Sequence, residues 1–211
     1  MPTLTSPGHP AIPFLLRCLR SQSKTLVPKA IAAMCAIGPA VRPELCRFID
    51  RTKSKRQKML AGRALELIDV GEGQSDRPFH FVMDAVLAGI RILSDHLDLQ
   101  LISVIVELGQ PAVDRTLSEA ICQRNSPRFC CRLLQVLRTV GIPATFERST
   151  QLMALASNKS QAVRDLVVPL LAAMQVQMTR DLVSGVTGVE KVQATKTNMR
   201  VCDDSSEIDA A

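Results

Sequence analysis

A short phrase, glycine followed by an optional residue and then Pro-Ala, punctuates this chain at regular intervals and limits what it can fold into more than any other feature. It stands as Gly8-His9-Pro10-Ala11, Gly38-Pro39-Ala40, Gly109-Gln110-Pro111-Ala112 and Gly141-Ile142-Pro143-Ala144. Gly71 is a fifth punctuation point, followed by Glu72-Gly73-Gln74-Ser75-Asp76-Arg77-Pro78 instead of a tight Pro-Ala. The steps from Gly8 to Gly38, Gly71, Gly109 and Gly141 are 30, 33, 38 and 32 residues. A repeat of that length is one supersecondary unit, too small to bury its own apolar face and stable only when stacked on its neighbours.

The residues before each glycine repeat as well. Counting back from Gly38, Gly71, Gly109 and Gly141, the first position holds Ile37, Val70, Leu108 and Val140, the fourth Met34, Leu67, Ile105 and Leu137, and the seventh Ile31, Ala64, Ile102 and Leu134. Apolar residues at this spacing share a face only on a helix. Each glycine therefore closes a helix in the left-handed conformation, and each proline opens the next at a position that needs no N–H. The opened helix is amphipathic too, as in Ile12, Leu15, Leu16 and Leu19, in Val41, Leu45, Phe48 and Ile49, and in Val113, Leu117, Ala120 and Ile121. It runs into a polar loop: Ser21 to Lys24, Thr52 to Lys55, Arg124 to Pro127, or Ser157 to Ser160. No segment combines strand-length alternation with hairpin turn chemistry.

The unit is thus a helical hairpin, and the chain is expected to be all-α. Units of this length, with Pro-Ala-Val opening one helix and Ile-Gly or Val-Gly closing the other, resemble HEAT repeats of the armadillo-like superfamily. The resemblance implies an α-solenoid of about five hairpins over residues 8–175, with units at about 8–37, 38–70, 71–108, 109–140 and 141–174. Residues 1–7 form a lead and residues 176–211 a partly disordered, weakly structured tail. The third unit departs from the pattern, so its first helix, around Phe79 to Leu93, is expected to be displaced or to follow an extra loop. Pro169 falls inside the last helix, where a kink is expected.

Enzymes built on such repeats leave signatures that are testable in the sequence. Deoxyhypusine hydroxylase needs repeated His-Glu pairs, and none of His9, His80 and His96 precedes Glu. HEAT-like DNA glycosylases rely on aromatic residues, and the chain has no Trp and no Tyr. A bilin-lyase-like enzyme remains as an alternative that no residue speaks for. Nucleotide-binding glycine motifs and nucleophile elbows are missing from the sequence. The seven cysteines, Cys18, Cys35, Cys46, Cys122, Cys130, Cys131 and Cys202, show no Cys-x-x-Cys spacing and read as structural thiols, with no disulfide or zinc framework. No catalytic residue, metal or cofactor is expected.

Charge is placed unevenly. Met1 to Arg63 holds 12 basic and 2 acidic residues, a net +10, while the remainder holds 14 and 18, a net −4. In a solenoid all loops within hairpins line one edge. Lys24, the run Arg51, Lys53, Lys55, Arg56 and Lys58, then Arg124 and Arg128, with Arg20, Lys159 and Arg164, would form a basic ridge there, interrupted by the acidic loop Ser94 to Asp98. Asp69, Glu72, Asp76, Glu107 and Asp114 fall on the opposite edge. The ridge reads either as a solvated edge or as a surface for an acidic segment of another protein. Non-sequence-specific nucleic-acid binding is the alternative, weakened by the scarcity of aromatics for stacking. No small-molecule substrate is indicated. No run approaches about 18 uninterrupted apolar residues, and Ile12 to Leu19, broken by Pro13 and Arg17, lacks a cleavage site. The expectation is therefore a cytoplasmic scaffold or adaptor that does not engage a membrane.

Overall fold

The computed structural model describes residues 9–71, 78–92 and 99–201, and among them every regular element is helical. The helices are α1 (Ala11–Arg20), α2 (Leu26–Ile37), α3 (Arg42–Arg51), α4 (Lys55–Val70), α5 (Pro78–Ile92), α6 (Leu99–Leu108), α7 (Gln110–Cys122), α8 (Pro127–Val140), α9 (Phe146–Ala156) and α10 (Gln161–Val201); a 3₁₀ turn, Gly38–Val41, joins α2 to α3. The all-α expectation holds. Gly8, the lead, the loop at 94–98 and the acidic pair Glu72 and Asp76 lie outside the described residues, as does Cys202.

Glycine punctuates the helices as the repeat requires. Gly38, Gly71, Gly109 and Gly141 have φ of 80°, 74°, 71° and 84°. Only Gly71, with ψ 9°, is in the left-handed helical region. Gly38, Gly109 and Gly141 combine positive φ with extended ψ of −147°, −152° and 138°, a combination essentially reserved to glycine. At Gly38 and Gly109 this turn throws the chain directly into the next helix, which is why Pro follows so closely; after Gly141 the next helix begins only at Phe146.

The repeated apolar positions form the core. Met34, Ile105 and Leu137 are fully buried, as are Ala64 and Leu134. Ile31, Ile102 and Leu67 are partly buried, and Val70 is 72% exposed. On the other helices Ile12, Leu15, Leu19, Val41, Leu45, Val113, Leu117 and Ala120 are buried.

Helix neighbours fall into two rows. One runs α3, α1, α6, α7, α9 and the other α4, α2, α5, α8, α10, with α1–α2, α3–α4, α5–α6, α7–α8 and α9–α10 each joining the rows. A stack in chain order would set α3–α4 against α5–α6. Instead α5 makes the most extensive helix contact of the fold with α2, α6 lies on α1, and the first pair sits between the second and the third. The third pair also exchanges rows, because α5 takes the place beside α2 and α6 the place beside α1. This is the displacement that the irregular third unit leads one to expect. Passing from α4 to α5 across α2 means covering two interhelical spacings, about 16–20 Å. The seven steps from Gly71 to Pro78 reach about 25 Å, whereas a tight Gly-Pro-Ala turn would fall short.

At the C-terminal end α10 runs from Gln161 to Val201 as one helix and passes through Pro169 without ending; residues 202–211 of the expected tail lie outside the described residues. The inner face of α10 is carried by Val163, Val167, Leu170 and Met174, the buried positions. Its segment Gln161–Ser184 is also long and apolar enough to cross a membrane by length and composition, with 17% of that window buried. Scanning for uninterrupted apolar residues missed it, because Gln175, Gln177 and Thr179 break the run without adding charge.

Candidate binding cleft on the basic edge

The ends of the paired helices meet along one edge, and the expected basic residues are there, but grouped differently. A cleft of about 420 Å³ is lined by Arg17 and Arg20 of α1, Arg47 and Arg51 of α3, Lys53 just beyond, and Gln100 of α6. Its apolar surface comes from Pro13, Leu16 and Phe48, and Glu44 is the one acid among the described residues that line it. The geometry follows from the row order: α1 is the floor, with α3 on one side and α6 on the other. The guanidinium of Arg20 lies over the Phe48 ring, 5.5 Å from its centroid, and Arg47 donates to Glu44 at 2.7 Å. Arg51 and Lys53 are exposed and have no ion-pair partner among the described residues.

Lys55, Arg56 and Lys58 do not belong to a loop. Ser54 caps α4 by accepting from the Gln57 amide at 3.4 Å, and Thr52 donates to the Gln57 side chain at 2.5 Å. The three cations therefore occupy the first turn of α4, exposed beside the cleft but not lining it. Ser54-Lys55-Arg56-Gln57 is a capping signature that the emphasis on charge obscured. Cations there reinforce the positive end of the helix dipole, so this corner attracts anions more strongly than the count of lysines alone implies. Lys24 is exposed between α1 and α2 and does not line the cleft.

Further along the edge the ridge breaks into separate features. Arg124 and Lys159 border a polar hollow of about 540 Å³ between the α7–α8 and α9–α10 connections, where Asn158 donates to the Arg124 carbonyl at 2.9 Å. Arg128 lies with Arg91 and Arg132, and Arg91 stacks on Phe129 at 4.6 Å. Arg132 donates to the carbonyls of Ile90 and Arg91 at 3.3 and 2.9 Å, closing the end of α5. Arg164 turns inward to the carbonyls of Asn158 and Lys159 at 2.5 and 3.1 Å and is occupied holding its own loop. A continuous ridge is thus replaced by one strongly basic cleft and two weaker sites. Arg17 and Arg47 lie inside α1 and α3, outside the loops to which the expected ridge was confined. The signal was their spacing, Arg17 with Arg20 and Arg47 with Arg51, which sets paired cations on the polar faces of two amphipathic helices.

On the opposite edge three aspartates are paired with arginines, while Glu107 accepts only from the Ser103 hydroxyl at 3.4 Å among the described residues. Asp69 pairs with Arg42, Asp114 accepts two hydrogen bonds from Arg148 at 2.7 and 3.2 Å, and Asp84 lies 4.0 Å from Arg115.

The described thiols and histidines differ in burial. Cys18, Cys35 and Cys130 are buried, Cys131 is half-buried, and Cys46 and Cys122 are exposed; none of the six is in a disulfide. Burial first, and the neighbouring Cys131 second, push the Cys130 thiol up to about 11, the reverse of what a nucleophile needs. Burial also pushes the Cys131 thiol up. His9 is buried and its Nδ1 accepts from the Ala11 amide at 3.1 Å, capping α1. His80 is exposed and meets Phe79 edge-on at 5.7 Å. Among the described residues no group of His, Cys, Asp and Glu is placed to hold a metal ion. Comparison of the chain with family models, curated proteins and solved structures gave no match.

Proposed function

We propose that this chain is a HEAT-like helical-repeat scaffold, a solenoid of about five hairpins with the first enclosed, whose basic cleft receives an acidic segment of another protein. The observation that carries this reading is the asymmetry between the edges. Away from that cleft Asp69, Asp84 and Asp114 are answered by Arg42, Arg115 and Arg148. Where the helix pairs turn, Arg17, Arg20, Arg47, Arg51 and Lys53 line one cleft, with Glu44 the one acid among the described residues that line it. Concentrating like charge in a concave, partly apolar setting raises the local concentration of an oppositely charged ligand. Phe48 and Leu16 give an aliphatic or aromatic residue of that ligand a place beside its carboxylates.

An acidic peptide suits this cleft better than single-stranded nucleic acid. Phosphates require only Lys and Arg, but tight binding to a single strand also draws on bases stacked upon aromatic rings, and the one ring among the described residues of the cleft, Phe48, is covered by Arg20. The test is fluorescence anisotropy with a labelled Asp- and Glu-rich peptide of about ten residues against a labelled oligo-U of matched charge. Changing Arg17, Arg20, Arg51 and Lys53 together to Gln should abolish peptide binding with the circular dichroism unchanged. Changing Lys55, Arg56 and Lys58 should weaken it less, and changing Arg124 and Arg128 should leave it alone. Rising salt should weaken binding, because exposed charges are screened over about 8 Å at physiological ionic strength. Tighter binding of the RNA, or peptide binding indifferent to the cleft variant, overturns the proposal.

A further inference from the structure

The two ends of the helix rows are finished differently, and the difference concerns a surface remote from the basic cleft. At one end α4 turns Lys55, Arg56, Arg63 and Glu66 outward, all exposed, a charged finish of the kind that the terminal unit of a repeat array needs for solubility, in which Met59 and Val70 are the exposed apolar residues. At the other end α9 and α10 pack inward on α7 and α8 through Leu152, Leu155, Val163, Val167, Leu170 and Met174. Their opposite faces expose large apolar residues. Phe146 and Met153 on α9 are 78% and 54% exposed, and Val168, Val176 and Val183 on α10 are 60%, 61% and 58% exposed. At 100° per residue Val168, Ala172, Val176 and Val183 lie within one quadrant of α10, directly away from its buried face. From Gln175 to Ser184 every residue but Met178 is exposed.

We propose that this end is a self-association surface on which a second copy of the chain packs, α10 antiparallel to its symmetry mate about a two-fold axis between Ala172 and Ala173. The charges flanking the stripe select a second copy. Asp165 and Arg180 are the same number of residues from that axis, on either side of it. Antiparallel packing sets Asp165 of each copy beside Arg180 of the other, one ion pair at each end of an apolar contact built from Val168 and Val176. Ala172 and Ala173, both exposed, stand at the crossing, where small side chains let two helices approach closely. Within its own chain Asp165 accepts from Gln161 at 2.6 Å, and Arg180 has no ion-pair partner among the described residues. Because the other end is charged, the contact uses one patch of each copy and closes at two, without propagating into a filament.

The test is sedimentation equilibrium of the full chain from about 1 to 100 µM, a range set by the micromolar affinity of a modest interface. The expected result is a dimer. Asp165→Arg alone and Arg180→Asp alone each create two like-charge contacts and should raise the dissociation constant by about tenfold or more. The double variant D165R/R180D restores both pairs with exchanged signs and should return the constant to near its original value. That recovery distinguishes contact between two copies from contact with anything else. Val176→Glu should give a monomer of unchanged helicity. A chain that is monomeric throughout, or a dimer insensitive to the charge exchange, overturns the proposal. So does a monomer that floats with phosphatidylcholine vesicles, which would make lipid the occupant of the face.

Discussion

Gly89 on α5 lies against the ring of Phe14 on α1: a Cβ at Gly89 would stand 2.8 Å from Phe14 Cζ and 3.2 Å from Cε2. Phe14 is fully buried and its ring cannot swing aside. A glycine inside a helix ordinarily costs about 1 kcal/mol relative to alanine, so Gly89→Ala would stabilise an unconstrained helix. Here it should destabilise by about 1–3 kcal/mol, the cost of overpacking a filled core. Phe14→Leu added to Gly89→Ala should recover part of that loss. Urea denaturation of the three variants measures it, and a gain in stability for Gly89→Ala alone would show that α5 does not seat on α1 this closely.

Leu134 and Ile102 occupy the same position of the repeat, yet Leu134 is fully buried and Ile102 only partly. Leu134→Asp should cost on the order of 4–5 kcal/mol, enough to unfold most of the population, because an unpaired carboxylate replaces a core side chain. Ile102→Asp should cost about 1–2 kcal/mol, since its carboxylate reaches water. Gln135 and Ser103, half-buried and exposed, should tolerate substitution. Thermal melts that reverse this order would mean that the helix faces are assigned wrongly.

Arg148 joins two neighbouring pairs. Its side chain is 11% exposed, grips Asp114 at 2.7 and 3.2 Å, and also donates to the Pro143 carbonyl at 3.1 Å. Arg148→Ala should cost about 1–3 kcal/mol, the range for hydrogen bonds to charged groups. Arg148→Lys should restore little, because a single ammonium cannot reproduce a two-pronged contact. Equal stability of the Lys variant and the parent would reduce the contact to an ordinary surface pair.

His9 gives a pH dependence of definite sign. Burial lowers its pKa below 6.5, opposed by the charge of Glu107. The folded state therefore holds His9 neutral at a pH where the unfolded chain already binds a proton. The stability tied to His9 is complete above about pH 6.5 and is lost as pH falls from 6.5 towards the folded value. Protonation of Nδ1 would also remove the acceptor for the Ala11 amide. His9→Asn keeps a capping oxygen without this titration, so its stability between about pH 5 and 7 should be flatter than that of the parent. Parallel profiles would assign the acid sensitivity to other groups.

The helices and their punctuation were legible in the sequence because glycine with positive φ and proline just behind it are local requirements. The inward faces were legible at Met34, Ile105, Leu134 and Leu137 for the same reason. Val70 shows where local reading stops. It matches Ile37, Leu108 and Val140 in register, yet it is exposed because the next pair in the chain does not pack on α4. Which pair lies beside which depends on α5 fitting α2 better than α4, a long-range choice that no repeat position records. The cleft suffered likewise. Arg51 and Lys53 were found as part of a run, but their company of Arg17, Arg20 and Arg47 arises only because α3 and α6 flank α1.

The middle place of α1 and α2 makes the two directions of truncation unequal. Removing α9 and α10 takes away an end and exposes one new surface. Removing α1 and α2, although they come first, takes out the keystone, and what remains is two fragments, α3–α4 and α5–α10, that share no substantial contact. A growing chain meets the same asymmetry: the seat on α2 stays empty until α5 has been made some forty residues later, so the first pair waits half-covered for a partner that is not its neighbour in the chain.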